Sequence, residues 1–197
     1  MREMIQMVVV LTILACVSGG LLAYIKDNTQ ERIEYQQLVF VKGPAIRSIM
    51  EGSSNDPIND RFKIQHGDTE RSFFVGVFDG QPQAVAFETS GRGYGGDIGV
   101  MVGVNVEQAQ LVGIGVTTHA ETPGIGALAK TDPSFAAQFR GMPIKDQFKV
   151  KTEGGEIDAL SGATITSRGV AGAVTQAAQI FQELKPQIIE KLNTFSK

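Results

Sequence analysis

The chain has 197 residues, a formal net charge of -3, 42% hydrophobic residues and 20% charged ones. That length holds one domain, or one domain with an appendage, and the composition excludes a disordered chain. The acidic balance argues against nucleic acid as a partner, since that role needs a clustered basic surface; the single cysteine excludes an internal disulfide and a thiolate metal cluster.

The chain opens on 22 residues, 4–25, without Asp, Glu, Lys or Arg. As a helix this run spans about 33 Å, enough for a bilayer core. A cleaved signal peptide has a shorter apolar core and a more basic start than Arg2 followed by Glu3. Ile13-Leu14-Ala15-Cys16 loosely resembles a lipoprotein signal, so processing at Cys16 is an alternative, but the apolar run continues past it through Leu21, Leu22 and Ile25. The expectation is a retained transmembrane anchor in which Cys16 is a small apolar residue. Arg2 on one side and Lys26, Arg32 and Lys42 on the other leave the positive-inside rule undecided. A single helix ahead of a large domain acts most often as an uncleaved export signal, so the domain is expected outside the cytoplasm. Near-absence of cysteine fits that side.

Residues 27–50 predict a helix with an apolar stripe of Ile33, Leu38, Val41, Ala45, Ile46 and Ile49, interrupted near Gly43-Pro44. A polar loop follows, Gly52 to Asp60. The middle predicts β structure. Phe73–Phe78 and Gln83–Thr89 flank Asp79-Gly80, and Ile98–Val104 and Ala109–Thr117 flank Asn105 to Gln108. These two hairpins form a four-stranded antiparallel meander. Asp132-Pro133 starts a short helix to about Arg140 with an N-cap and an N1 proline. Gln147–Lys151 and Glu156–Leu160 predict a third hairpin about Gly154-Gly155, and a helix from about Ser167 to Leu184 is stopped by Pro186. The fold class is α+β: antiparallel hairpins packed with helices, after one transmembrane helix. Residues 1–26 read as the anchor, 27–60 as a helical linker and loop, and 61–197 as the domain.

Three segments could carry chemistry. In Asp158-Ala159-Leu160-Ser161-Gly162-Ala163-Thr164 a strand leads through a small-residue turn towards a helix, whose N-terminal N–H groups suit a phosphate. Gly162 and Ala163 allow an anion close to the backbone, and Ser161 and Thr164 offer hydroxyls; the plainer reading is a capped helix entry. The second segment is His119-Ala120-Glu121-Thr122-Pro123-Gly124-Ile125-Gly126. It reads either as a connection with a type II turn at Thr122-Pro123-Gly124 or as a sheet edge offering fixed polar groups and free glycine N–H groups to a planar ligand. Gly93-Tyr94-Gly95-Gly96 is the third. It lacks the spacing and βαβ setting of a dinucleotide fingerprint, and is either a flexible loop or one whose Tyr94 covers a ligand face.

Together these segments resemble the FMN-binding domain of the Rnf and Nqr respiratory complexes. Asp-x-x-Ser-Gly-Ala-Thr is similar to that family's flavinylation motif, and Thr118 to Gly126 to its THxETPGLG loop, with Ile125 where Leu is usual. One membrane helix, this domain and a motif near the C-terminus resemble the G subunit of Rnf. The resemblance implies FMN joined by a flavin transferase, as a phosphoester, to the matching Thr164. It implies further contacts from Ser161, Gly162, Ala163, His119, Glu121, Thr122, Pro123, Gly124, Ile125, Gly126, Tyr94 and Gly95. No metal is implied. It also implies electron relay between ferredoxin and NAD+ coupled to Na+ or H+ translocation, within a complex of membrane, iron–sulfur and flavin subunits in the lipid of the inner membrane, the domain on its periplasmic side. An Nqr-type subunit, a membrane-anchored structural domain without cofactor, and a hydrolase using Ser161, His119 and Asp158 are the alternatives. The last lacks a Gly-x-Ser-x-Gly elbow.

Overall fold

The computed structural model describes residues 1–195 and divides into two units, Met1–Leu38 and Val39–Lys197. The first unit is helical. Helix α1 runs Arg2–Gln36 and none of its residues is buried. The helical stretch Arg2–Ile49 contains an 18-residue window with a mean hydropathy of 2.4, long and apolar enough to cross a membrane. The interruption expected near Gly43-Pro44 is a π-helical turn, Gln37–Lys42, before α2, Gly43–Ile49. Pro44 has no N–H to donate, and the wider turn ahead of it changes the hydrogen-bond register.

The second unit is built on a five-stranded antiparallel sheet in the order β1-β2-β3-β4-β5. Its strands are β1 Arg61–His66, β2 Thr69–Phe78, β3 Gln81–Arg92, β4 Asp97–Asn105 and β5 Gln110–Thr118. The Asp79-Gly80 hairpin forms as its sequence demands: both residues have positive φ, 50° and 74°, the signature of a two-residue type I′ turn. The expected meander had four strands; β1 adds a fifth. Its Phe62 and Ile64 alternate with Arg61, Lys63 and Gln65, the charged pattern of a strand on a sheet edge.

Short helices α3 (Leu128–Thr131) and α4 (Pro133–Ala137) follow the sheet, then a long α5 (Thr164–Asn193). Asp132 caps α4 through Oδ1, which accepts from Ser134 N at 2.9 Å. Helix α5 packs along β3: Thr89 Oγ1 donates to the Ala173 carbonyl at 2.9 Å across a buried contact. Val170, Val174, Ala177, Ala178 and Phe181 all enter the core with Phe73, Phe87, Val100 and Val102. Ile46, Ile49 and Met50, in and just after α2, are buried as well; Ile49 lies against Gly103 and Ala45 against Gly115.

Two expectations are corrected. Residues 147–160 form no hairpin. Val150 and Ile157 meet in a single parallel bridge around a 3-10 turn, Lys151–Glu153. Side chains take backbone groups that a ladder would use: Phe148 N donates to Thr175 Oγ1 at 2.8 Å, and Asp158 N to Gln138 Oε1 at 2.7 Å. Nor does Pro186 end the last helix, which starts at Thr164 and carries Pro186 inside it. An interior proline costs about 3 kcal/mol. Beyond it Ile188 and Leu192 are 0% and 4% exposed, and burying such side chains stabilises by about 1.5–3 kcal/mol each, which outweighs the proline.

Candidate functional site

The turn before α5 is held from beneath. Ala163 N donates to the Leu160 carbonyl at 3.0 Å, and Gly162 in this turn has φ 75°, a conformation suited to glycine. The buried Ser167 hydroxyl accepts from Leu160 N at 2.9 Å and donates to the Ala163 carbonyl at 3.0 Å. No side chain caps α5. Ser167 N bonds to the Ala163 carbonyl, whereas the N–H groups of Thr164, Ile165 and Thr166 have no partner among the described residues. These groups and the helix dipole give this end an anion-binding character.

The four hydroxyls here have different fates. Thr166 and Ser167 are 2% and 0% exposed; Thr166 donates to Glu121 Oε2 and Ser167 is engaged as above. Ser161 is exposed and Thr164 half-buried, and no hydrogen bond among the described residues engages either side-chain hydroxyl.

The loop after β5 takes the expected turn. Ile125 N reaches the Thr122 carbonyl at 3.3 Å, and Gly124 has φ 73°, the requirement of a type II turn with Pro123 at its second position. Thr122, Pro123, Gly124 and Ile125 are exposed, while Glu121 and Gly126 are buried. Half-buried His119 accepts at Nδ1 from Glu121 N, 3.2 Å away.

The 93–96 loop, the 119–126 loop and the first turn of α5 meet at Glu121, which is 6% exposed. Gly95 N donates to its Oε1 at 2.8 Å and Thr166 Oγ1 to its Oε2. The glycines make this possible. A Cβ on Gly93 would lie 2.5 Å from Oε1, one on Gly126 2.8 Å from Oε2, and one on Gly95 would strike the Ala120 carbonyl. The 119–126 loop also approaches the 160–163 turn: a Cβ on Gly162 would be 3.6 Å from Ile125 Cγ2. Tyr94, Ile125 and Ile165 leave 73%, 47% and 45% of their surface exposed around this junction.

The charged neighbours are paired. Lys151 meets Asp158 at 2.7 Å and Arg168 meets Glu153 at 2.6 Å. With Asp158 on Lys151 and His119 on Glu121 N, no hydrogen bond links Ser161, His119 and Asp158 as a hydrolytic triad needs. A groove of about 590 Å³ between α2, β5 and α3–α4 is lined by none of the candidate site residues.

Sequence reading missed Gly91 and Gly169. A Cβ on Gly91 would strike the Gly169 carbonyl, and one on Gly169 would lie 2.6 Å from the Arg92 carbonyl oxygen. This contact fixes the start of α5 beside the 93–96 loop. Its signal was a glycine within a helical pattern, which denotes close packing.

Comparison with known proteins identifies the family. Residues 93–179 match the family described as FMN-binding domain, spanning all three converging segments. The G subunit of the ion-translocating oxidoreductase complex of Pseudomonas aeruginosa is 32% identical over 95% of this chain and 93% of its own length. Its namesake from Vibrio cholerae is 30% identical over 93% of each chain. Among solved structures, the C subunit of the Na+-translocating NADH-quinone reductase of Parabacteroides distasonis aligns with a TM-score of 0.52 and 28% identity, over 59% of this chain and 63% of that one. Shewanella oneidensis NqrC aligns with a TM-score of 0.51 and 25% identity, over 71% and 72%. The chain belongs to the G-subunit family of ion-translocating oxidoreductase complexes, as an electron-transfer flavoprotein built on an FMN-binding domain.

Proposed function

We propose that this chain relays electrons on an FMN joined through its phosphate to the Thr164 hydroxyl. The observation that carries the reading is the sorting of hydroxyls at the start of α5. Thr166 and Ser167 are buried and bonded, while among the described residues the Thr164 hydroxyl and three backbone N–H groups of this turn have no partner. The residues fit the group: its phosphate would be held at the N-terminus of α5, where Gly162 would leave the backbone open to it. The attached flavin supplies one- and two-electron redox chemistry. Attachment through the phosphate leaves the ring free, and a tether keeps the cofactor at high effective concentration where a dissociated one is lost. Ser161, Gly162 and Ala163 line the attachment turn. His119, Thr122, Pro123, Gly124, Ile125 and Gly126, with Tyr94 and Gly95, would border the ring; Thr122 to Ile125, Tyr94 and Gly95 are exposed and offer backbone and apolar surface to a planar ligand.

The same reading takes residues 1–26 as a retained anchor in the inner membrane, 27–60 as its link and 61–197 as the flavin domain on the periplasmic side. A flavin transferase on that side matures the chain. Its partners are the other membrane, iron–sulfur and flavin subunits of an Rnf-type complex, which couples electron flow between ferredoxin and NAD+ to Na+ or H+ translocation. End-to-end similarity to the G subunits, over 93% of the relatives' length, favours Rnf over Nqr, whose solved chains are covered by 63–72%.

Thr164→Val keeps the branched shape and deletes only the hydroxyl. The expected result is a folded protein without covalent FMN when co-expressed with a flavin transferase. Peptide mass spectrometry that finds FMN on Ser161, Thr166 or Ser167, or still attached in the variant, overturns the assignment.

A further inference from the structure

Glu121 stood among the candidate ring contacts in the sequence, but the structure commits both of its carboxylate oxygens to protein donors. Oε1 accepts from Gly95 N at 2.8 Å and Oε2 from the buried Thr166 hydroxyl. A carboxylate taken out of water is costly unless its oxygens are satisfied, and here two loops and a helix are arranged to satisfy them. A Cβ on Gly93 or Gly126 would force the Glu121 side chain to shift, and one on Gly95 would collide with the Ala120 carbonyl.

We propose that Glu121 is the positioning residue of the flavin site and that its charge holds down the flavin's reduction potential; this rests on the attachment reading above. Thr166 is the third residue of α5, two positions after Thr164. The carboxylate is therefore bonded to the first turn of α5, the turn that also carries Thr164, although side chains two apart on a helix point to different faces. Glu121 also belongs to the 119–126 loop read above as the border of the ring, so its charge lies in the same site as the flavin. The clamp fixes the Tyr94–Gly95 loop and the 119–126 loop against the turn that presents Thr164. The charge acts on the redox step itself. Electrons passing from a reductant to the flavin add negative charge beside Glu121, which disfavours the reduced form.

Glu121→Gln separates the two effects. The amide oxygen still accepts from Gly95 N, and the amide nitrogen donates to the Thr166 hydroxyl, which rotates to accept. The geometry is kept and only the charge is lost. Full-length protein is co-expressed with a flavin transferase, covalent flavin is read by in-gel fluorescence, and the potential by dithionite titration in detergent. Glu121→Gln is expected to carry FMN and to shift its reduction equilibrium at least tenfold towards the reduced form, about 30 mV for a two-electron couple. Thr166→Val keeps the charge and loses one clamp bond. Its potential is expected to stay at the wild-type value while flavin incorporation falls several-fold, and Glu121→Ala is expected to lose more. An unshifted potential in flavinylated Glu121→Gln, or an equal shift in Thr166→Val, overturns the role of the charge. Wild-type incorporation in both Glu121→Ala and Thr166→Val overturns the clamp. Wild-type protein without covalent flavin overturns the attachment reading and this proposal with it.

Discussion

Replacing Gly169 with Ala tests how β3 and α5 meet. A Cβ there lies 2.6 Å from the Arg92 carbonyl oxygen, 2.9 Å from its carbon and 3.1 Å from Gly93 N. All three are backbone atoms of the strand that leads into the 93–96 loop, so no flexible side chain can turn aside. Overpacking of this kind costs about 1–3 kcal/mol. Alanine also favours a helix interior over glycine by about 1 kcal/mol, which offsets part of the loss. Gly172 isolates the clash. It lies in the same helix, is exposed, and a Cβ there meets nothing within 4 Å. Gly172→Ala gains the propensity alone, so the two variants should differ by the steric cost of about 1–3 kcal/mol. For a unit of this size each kcal/mol moves the melting temperature by about 2–4 °C. Thermal unfolding of the full chain in detergent, followed by far-UV circular dichroism, reads the difference. Gly172→Ala should melt above wild type and Gly169→Ala below Gly172→Ala. Equal melting temperatures for the two variants refute close backbone packing at the start of α5.

Pro186→Ala restores an interior helix bond and should raise stability by up to about 3 kcal/mol, measured as a shift in the urea midpoint; a loss would mean that the exposed ring stabilises α5 in place. Asp132 is held below the usual carboxylate range by the Ser134 hydroxyl first and the Ser134 N–H second. A lowered folded-state pKa contributes stability at neutral pH that disappears as pH falls through the folded value, so Asp132→Ala should be less stable than wild type near pH 7 and the gap should close below about pH 4. A gap unchanged at pH 3 contradicts the cap. Ser53→Cys should react with a membrane-impermeant maleimide on intact cells, and reaction only after lysis would reverse the proposed orientation.

The local elements follow from the sequence alone. An uncharged run of 22 residues can only be an apolar helix, and Asp79-Gly80 between alternating apolar runs specifies its own turn. Pro123-Gly124 and Asp132-Pro133 likewise carry their geometry in one or two residues, as the φ of 73° at Gly124 and the Ser134 bond to Asp132 record. The three candidate segments were legible too, because each needs glycine or a hydroxyl at a fixed place in a short motif. Long-range packing settled what local propensity left open or weighed wrongly. Pro186 reads as a stop until Ile188 and Leu192 are seen buried beyond it. Gly154-Gly155 reads as a hairpin until Thr175 and Gln138 take the backbone groups. Above all, the motif singles out Thr164, but nothing local tells that Thr164 and Thr166 differ in burial and bonding. They differ because Glu121, 45 residues from Thr166 along the chain, claims one hydroxyl and leaves the other free. Local geometry follows from neighbouring residues, whereas burial and the pairing of polar groups depend on partners that only the folded chain brings together.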